Sequence, residues 1–167
     1  ASEAEELAVA LSTGLQYLRA LEAAEMTQPV ERRAISFTVA LDADELLGIS
    51  KLRALRRLWS QIEVAAGLTA EPIRIHAETA WRMATRRDPA VNMLRATLAG
   101  FVAGVAGADT LTILPHTLAL GLPDATARRI ARNIQHVLLE ECQLARVIDP
   151  AGGSGAFETT ILASSRM

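Results

Sequence analysis

Three short runs of mostly apolar residues alternate with longer stretches in which apolar side chains recur every three or four positions. This alternation restricts the fold more than any other feature of the chain. The short runs are Ala34 to Leu41, Ile73 to Ala77 and Thr110 to Leu114. The first, rich in Ile, Phe, Thr and Val, has the composition of a strand buried on both faces. The first long stretch, Glu3 to about Glu22, places Leu7, Leu11, Leu15, Leu18 and Leu21 on one helical face. Pro29 ends the link that follows it. A second helix is predicted from an acidic capping box, Asp42 with Glu45 three residues later, to Ala66, with Gly67 as a left-handed stop. Asp88-Pro89 opens a third helix as a cap residue followed by proline. Its inward positions are read as Val91, Leu94, Leu98, Phe101 and Val105. A fourth runs from Pro123 to about Leu144 along Ile130, Ile134, Val137 and Glu141.

The order αβαβαβα with short connections implies parallel strands joined by right-handed crossovers. A closed (β/α)8 barrel needs eight strands and about 250 residues. The expected fold is therefore an α/β chain carrying part of such a barrel, with an open three-stranded sheet as the alternative. Residues 1–150 form the partial barrel in this reading. Residues 151–167 form a C-terminal tail that opens on the turn Ala151-Gly152-Gly153-Ser154-Gly155 and shows no convincing periodicity afterwards. The two outer strands would present unpaired backbone groups. Because the helical pattern begins almost at the first residue, the chain reads as one cut at an element boundary.

Charge and composition exclude several function classes. With 17 Lys and Arg against 19 Asp and Glu there is no basic surplus to neutralise a phosphate backbone, so nucleic acid is not an expected partner. No run has the length of a membrane span, and the acidic start is unlike a signal peptide. The single cysteine, Cys142, cannot form an internal disulfide and has no neighbour at metal-ligand spacing. A soluble cytoplasmic protein without a metal site is expected.

Few residues stand out as chemical candidates. His76 and Glu78 would be polar residues at the C-terminal mouth of a barrel, where such folds place their sites. A structural histidine is the simpler reading of His76, and Glu78 either accepts from it or caps the next helix. Arg53, Arg56 and Arg57 beside Trp59 have the chemistry to grip a phosphate. Charges alternating with a leucine stripe more often form a solvated helix face, as do Arg128, Arg129 and Arg132. The glycine-rich turn lacks the lysine of a phosphate loop. Met26, Met83 and Met93 read as core fillers.

Four stretches taken together carry a resemblance: Thr13-Gly14-Leu15-Gln16-Tyr17-Leu18-Arg19-Ala20; Lys51-Leu52-Arg53-Ala54-Leu55-Arg56-Arg57-Leu58-Trp59; His76-Ala77-Glu78-Thr79 with Asp88-Pro89 and Asn92; and Arg128-Arg129-Ile130-Ala131-Arg132-Asn133 with Arg146-Val147-Ile148-Asp149-Pro150. In this order they resemble the substrate-binding barrel of the methylmalonyl-CoA mutase family, from its fifth helix to just past its eighth. The resemblance implies that the three strands are the sixth to eighth of the family's barrel. It also implies a cobalamin-dependent rearrangement of methylmalonyl-CoA to succinyl-CoA in the complete enzyme, with coenzyme A threaded through the barrel. Adenosylcobalamin would sit on a separate domain whose Asp-x-His-x-x-Gly run has no counterpart among His76, His116 and His136.

Where catalytic subunits carry Arg-x-Ser for coenzyme A, this chain has Ala34-Ile35-Ser36, so Ser36 is a vestigial contact. Where they carry His-x-Gln-Thr-Ser-Gly, it has His76-Ala77-Glu78-Thr79-Ala80-Trp81, and Leu118 replaces an acidic residue. These departures resemble the non-catalytic small subunit. They imply a chain inactive alone, binding no cofactor of its own, and pairing with a large catalytic subunit or with another copy of itself. The alternatives are a piece of a catalytic acyl-CoA mutase subunit and a truncated, self-associating scaffold.

Overall fold

A computed structural model describes residues 2–26 and 34–164. Pro29 and the last three residues of the tail lie outside the described residues. Helix α1 (Glu3–Ala23) starts at Ser2, whose hydroxyl accepts from the Glu5 amide while the Glu5 carboxylate accepts from the Ser2 amide. Strand β1 (Ser36–Leu41) follows, then α2 (Glu45–Ala65), β2 (Arg74–Thr79) and α3 (Pro89–Val105). Strand β3 (Thr110–Thr112), α4 (Ala125–His136) and α5 (Gly155–Ser164) complete the chain. The strands form one parallel sheet in the order β1-β2-β3.

The two faces of the sheet differ completely. Phe37, Val39 and Leu41 on β1 and Ile75, Ala77 and Thr79 on β2 are buried. They meet Leu7, Leu11 and Leu18 of α1, Leu52, Leu55 and Trp59 of α2, and Val102 and Ala103 of α3. Phe37 and Trp59 form an edge-on pair with centroids 5.0 Å apart. Gly14 lets α1 approach them, because a Cβ there would lie 2.8 Å from the Trp59 ring and 2.9 Å from Phe37. The alternate residues Ser36, Thr38, Arg74, His76 and Glu78 point to the opposite side and stay exposed or half-exposed. A doubly wound sheet carries helices on both faces, whereas a barrel carries them only outside. The chain is an α/β sector of a barrel type, not an open two-sided sheet.

Several local expectations are corrected. The cap of α2 is Asp44, which accepts from the Leu47 amide at 2.9 Å, while Asp42 accepts from the Asp44 amide just before it. Both aspartates precede the helix, and the strand runs to Leu41, leaving Asp42 no place in the first turn. On α3 the buried line is Asn92, Ala96, Ala99, Gly100, Val102, Ala103 and Val105, so of the expected inward positions Val105 is buried while Leu94 is 71 % exposed. Small residues let this helix lie close to the sheet, which a stripe of large ones would prevent. On α4 the buried positions are Ala127 and Ala131, with Leu138 beyond, rather than the line through Ile130 and Glu141. After His136 the helix widens into a π turn (Val137–Glu141), and Gln143 then reverses the chain at φ 52. Met26 is exposed.

The tail contains α5, which no periodicity announced. It packs on α2, with Phe157 against the core and Ile161 buried. Arg53 joins it from α2 by ion pairs to Asp149 and Glu158 and by stacking over Phe157 at 5.9 Å.

Candidate functional site

The uncovered face of the sheet is the surface a closed barrel would turn inward. Strand register sets its polar residues in rows: Ser36 beside Arg74, Thr38 beside His76 and Thr110, Ala40 beside Glu78 and Thr112. His76 is the third residue of β2, not its end, and its Nδ1 lies 2.7 Å from Thr110 Oγ1. Its hydrogen-bond partner is therefore Thr110 rather than Glu78. The helix after β2 is capped by Asp88, whose carboxylate accepts from the Ala90 amide, so Glu78 does not serve as that cap. Ser36 begins β1, at the end of the sheet opposite the mouth, and Ala34 before it is exposed. The structure thus gathers Ser36, His76 and Glu78 on one face but strings them along the strand direction.

The C-terminal ends of the strands are occupied by interactions internal to the chain. Arg82, just past β2, donates to Asp42 Oδ2 at 2.8 Å and to Glu3 Oε1 at 2.6 Å. Burial pushes the Asp42 carboxyl up, but hydrogen bonds from Arg82 and the Asp44 amide, with the charges of Arg82 and Lys51, hold it below its ordinary value. The hydrogen bond to Asp42 leads in raising Arg82 above its own ordinary value. Lys51 on α2 is buried beside Glu3 and Glu6 of α1. Asn92, only 4 % exposed, accepts from the Thr85 amide at 2.9 Å and donates to the carbonyls of Thr85 and His116 at 2.8 and 2.9 Å. It ties the loop after β2 to the loop after β3. Thr79 Oγ1 accepts from the Leu114 amide and ties the same two segments. Trp81 stands on this loop with 54 % of its surface exposed, and Leu118 is half-buried on the next.

The arginines of α2 do not form a phosphate grip. Arg56 donates to the carbonyls of Ile73 and Gly107 and to Asp109 Oδ2, stapling the starts of β2 and β3. Arg53 holds α5, as above, and Trp59 is core. Arg57 alone of the three matches the expected solvated face. Lys51, Arg56 and Asn92 are among the buried or half-buried polar residues whose roles the sequence did not announce. A polar residue inside a leucine stripe was the only local sign of Lys51.

This arrangement of a one-sided parallel sector can be set beside known proteins. A family model described as methylmalonyl-CoA mutase matches residues 1–162. The chain belongs to the methylmalonyl-CoA mutase family. It is 54% identical over 155 residues to a methylmalonyl-CoA mutase small subunit of Streptomyces virginiae, covering 92% of this chain and 25% of that protein. It is 46% identical over 157 residues to the small subunit of Propionibacterium freudenreichii subsp. shermanii, covering 92% and 25%. To the mitochondrial methylmalonyl-CoA mutase of Bos taurus it is 32% identical over 158 residues, covering 92% and 21%. The chain spans about a quarter of the length of these mutase relatives.

The mutase family depends on cobalamin, and the residues described do not fit that group. His76 has one ring nitrogen engaged by Thr110, the His116 Nδ1 is buried within its loop, and His136 pairs with Glu140 at 3.4 Å on the outer helix. Among the described residues no group of three His, Cys, Asp or Glu side chains could hold a metal ion. No described helix is long and apolar enough to cross a membrane.

Proposed function

We propose that this chain supplies the sixth to eighth strands of a mutase small-subunit barrel. In this reading its role is structural: it helps form the subunit that pairs with a catalytic large subunit, and it turns over no substrate itself. The observation that carries the reading is the sheet with helices on one face and a bare, polar second face. Such a surface has one natural completion, the remaining strands of a barrel closing around it.

The chemistry of the comparable positions supports a non-catalytic role. At Ser36 a hydroxyl is present, but Ala34 offers no cation where the resemblance places an arginine for coenzyme A. Losing a charge-assisted contact costs about 1.5 to 3 kcal/mol, roughly ten- to a hundredfold in affinity. Charged groups at the mouth pair with one another through Arg82, Asp42, Glu3 and Lys51, so these side chains are engaged within the chain. Adenosylcobalamin would be held by another part of the complete enzyme, and the setting would be the cytoplasm.

The test is complementation. A polypeptide carrying the first five strands of a small-subunit barrel is titrated into this chain, and amide exchange is followed at the edge residues Ser36, Thr38 and Leu111. Formation of a one-to-one complex with newly protected edge amides is expected, without turnover of methylmalonyl-CoA in the presence of adenosylcobalamin. Failure of the two pieces to associate, or turnover by this chain alone, would overturn the reading.

A further inference from the structure

We propose that Lys51 and the first turn of α1 form a charge-dependent guard on the open edge of β1. In a parallel ladder the amide and carbonyl of one residue point to the same neighbour, and successive residues alternate between neighbours. The Leu41 carbonyl accepts from the Ala80 amide just past β2 at 2.6 Å. Leu41, Val39 and Phe37 therefore turn their backbone groups toward β2, and Ser36, Thr38 and Ala40 turn theirs to the open edge. The Ala40 carbonyl is the last edge acceptor of the strand, and it is already taken: Lys51 Nζ donates to it at 2.8 Å.

The ammonium has three protons, and three oxygens surround it. Besides the Ala40 carbonyl these are Glu3 Oε2 at 2.6 Å and Glu6 Oε2 at 2.7 Å, both from α1. The Lys51 side chain is 1 % exposed, so its charge is tolerated only because these partners neutralise it. From the β1–α2 loop Asp42 adds a further negative charge acting on Lys51. Arg82, from the loop after β2, holds Glu3 and Asp42 from the other side.

Two consequences follow. A strand joining β1 finds the edge groups of Ser36 and Thr38 free but the Ala40 carbonyl capped, so its pairing stops short of the end of β1. Without the charges of Glu3 and Glu6 the buried ammonium keeps only the Ala40 carbonyl, and the first turn of α1 lifts away from the edge.

Amide hydrogen exchange of the full chain, followed by NMR at about pH 7, tests this. In Lys51→Met, Leu7, Ala8 and Val9 are expected to lose at least tenfold of their protection while Leu52 and Leu55 keep theirs. The double variant Glu3→Gln, Glu6→Gln keeps Lys51 and decides the matter if Lys51→Met does not fold. It is expected to show the same loss of protection at Leu7, Ala8 and Val9 and a higher weight-average mass by light scattering than the wild type. Simultaneous loss of protection in α1 and α2, or neutral-pH protection of α1 unchanged in the double variant, overturns the guard.

Discussion

Asn92 holds the two mouth loops in place, and its removal can be worked out from the structure. Three hydrogen bonds of 2.8 to 2.9 Å connect it to the Thr85 amide, the Thr85 carbonyl and the His116 carbonyl. Replacement by alanine leaves all three backbone groups without their partner in a part-buried site. Each such loss costs about 1 to 3 kcal/mol when buried, and partial access to water favours the low end, so a total of about 3 kcal/mol is expected. That is a large fraction of the roughly 5 to 15 kcal/mol that holds a typical domain together. Asn92→Asp separates donor from acceptor. Its carboxylate can still accept from the Thr85 amide, but its second oxygen faces two carbonyls, so most of the loss remains at neutral pH. Urea unfolding with linear extrapolation measures both variants. Values within about 0.5 kcal/mol of wild type for Asn92→Ala would refute the reasoning, since changes that small are typical of surface substitutions.

Gly14→Val should destabilise by about 2 kcal/mol in thermal melts, because overpacking against Trp59 and Phe37 outweighs the roughly 0.5 kcal/mol or so regained by replacing a helical glycine. Arg56→Leu should cost about 2 kcal/mol in urea unfolding and speed amide exchange at Ile75, since the starts of β2 and β3 lose a shared staple. The folded-state shift of Asp42 is downward, so its contribution to stability is complete above the ordinary aspartate value and is lost as pH falls through its lowered one. Asp42→Asn should therefore flatten the acid limb of the stability curve, and an unchanged slope there would show that the Arg82 contact contributes nothing. High salt should weaken the same contribution, as both side chains are partly exposed.

The alternation of strand and helix, the parallel sense of the sheet, the proline-marked start of α3 at Asp88-Pro89 and the left-handed stop at Gly67 were all legible in the amino-acid order. Each depends on neighbours within a few residues, where periodicity and backbone preference act directly. Family membership was legible for the same reason, since it rests on ordered local motifs. The helix after Gly155 was not, because its stability comes from Phe157, Ile161 and the pairing of Arg53 with Asp149 and Glu158 across the fold. The inward line of α3 was right at Val105 and otherwise misread, because large apolar residues were assumed to face the core. Close approach to the sheet instead selected Ala96, Ala99, Gly100 and Ala103.

Sequence by itself thus determined which segments before the glycine-rich turn form strands and helices, and in what order. Only the tertiary structure decided that the helices cover one face of the sheet, that Arg56 is a staple and not a phosphate ligand, and that Lys51 closes on Glu3, Glu6 and the Ala40 carbonyl. The physical reason is range: propensity and capping are settled within one turn, whereas a buried charge is tolerated only where distant segments bring oxygens to it.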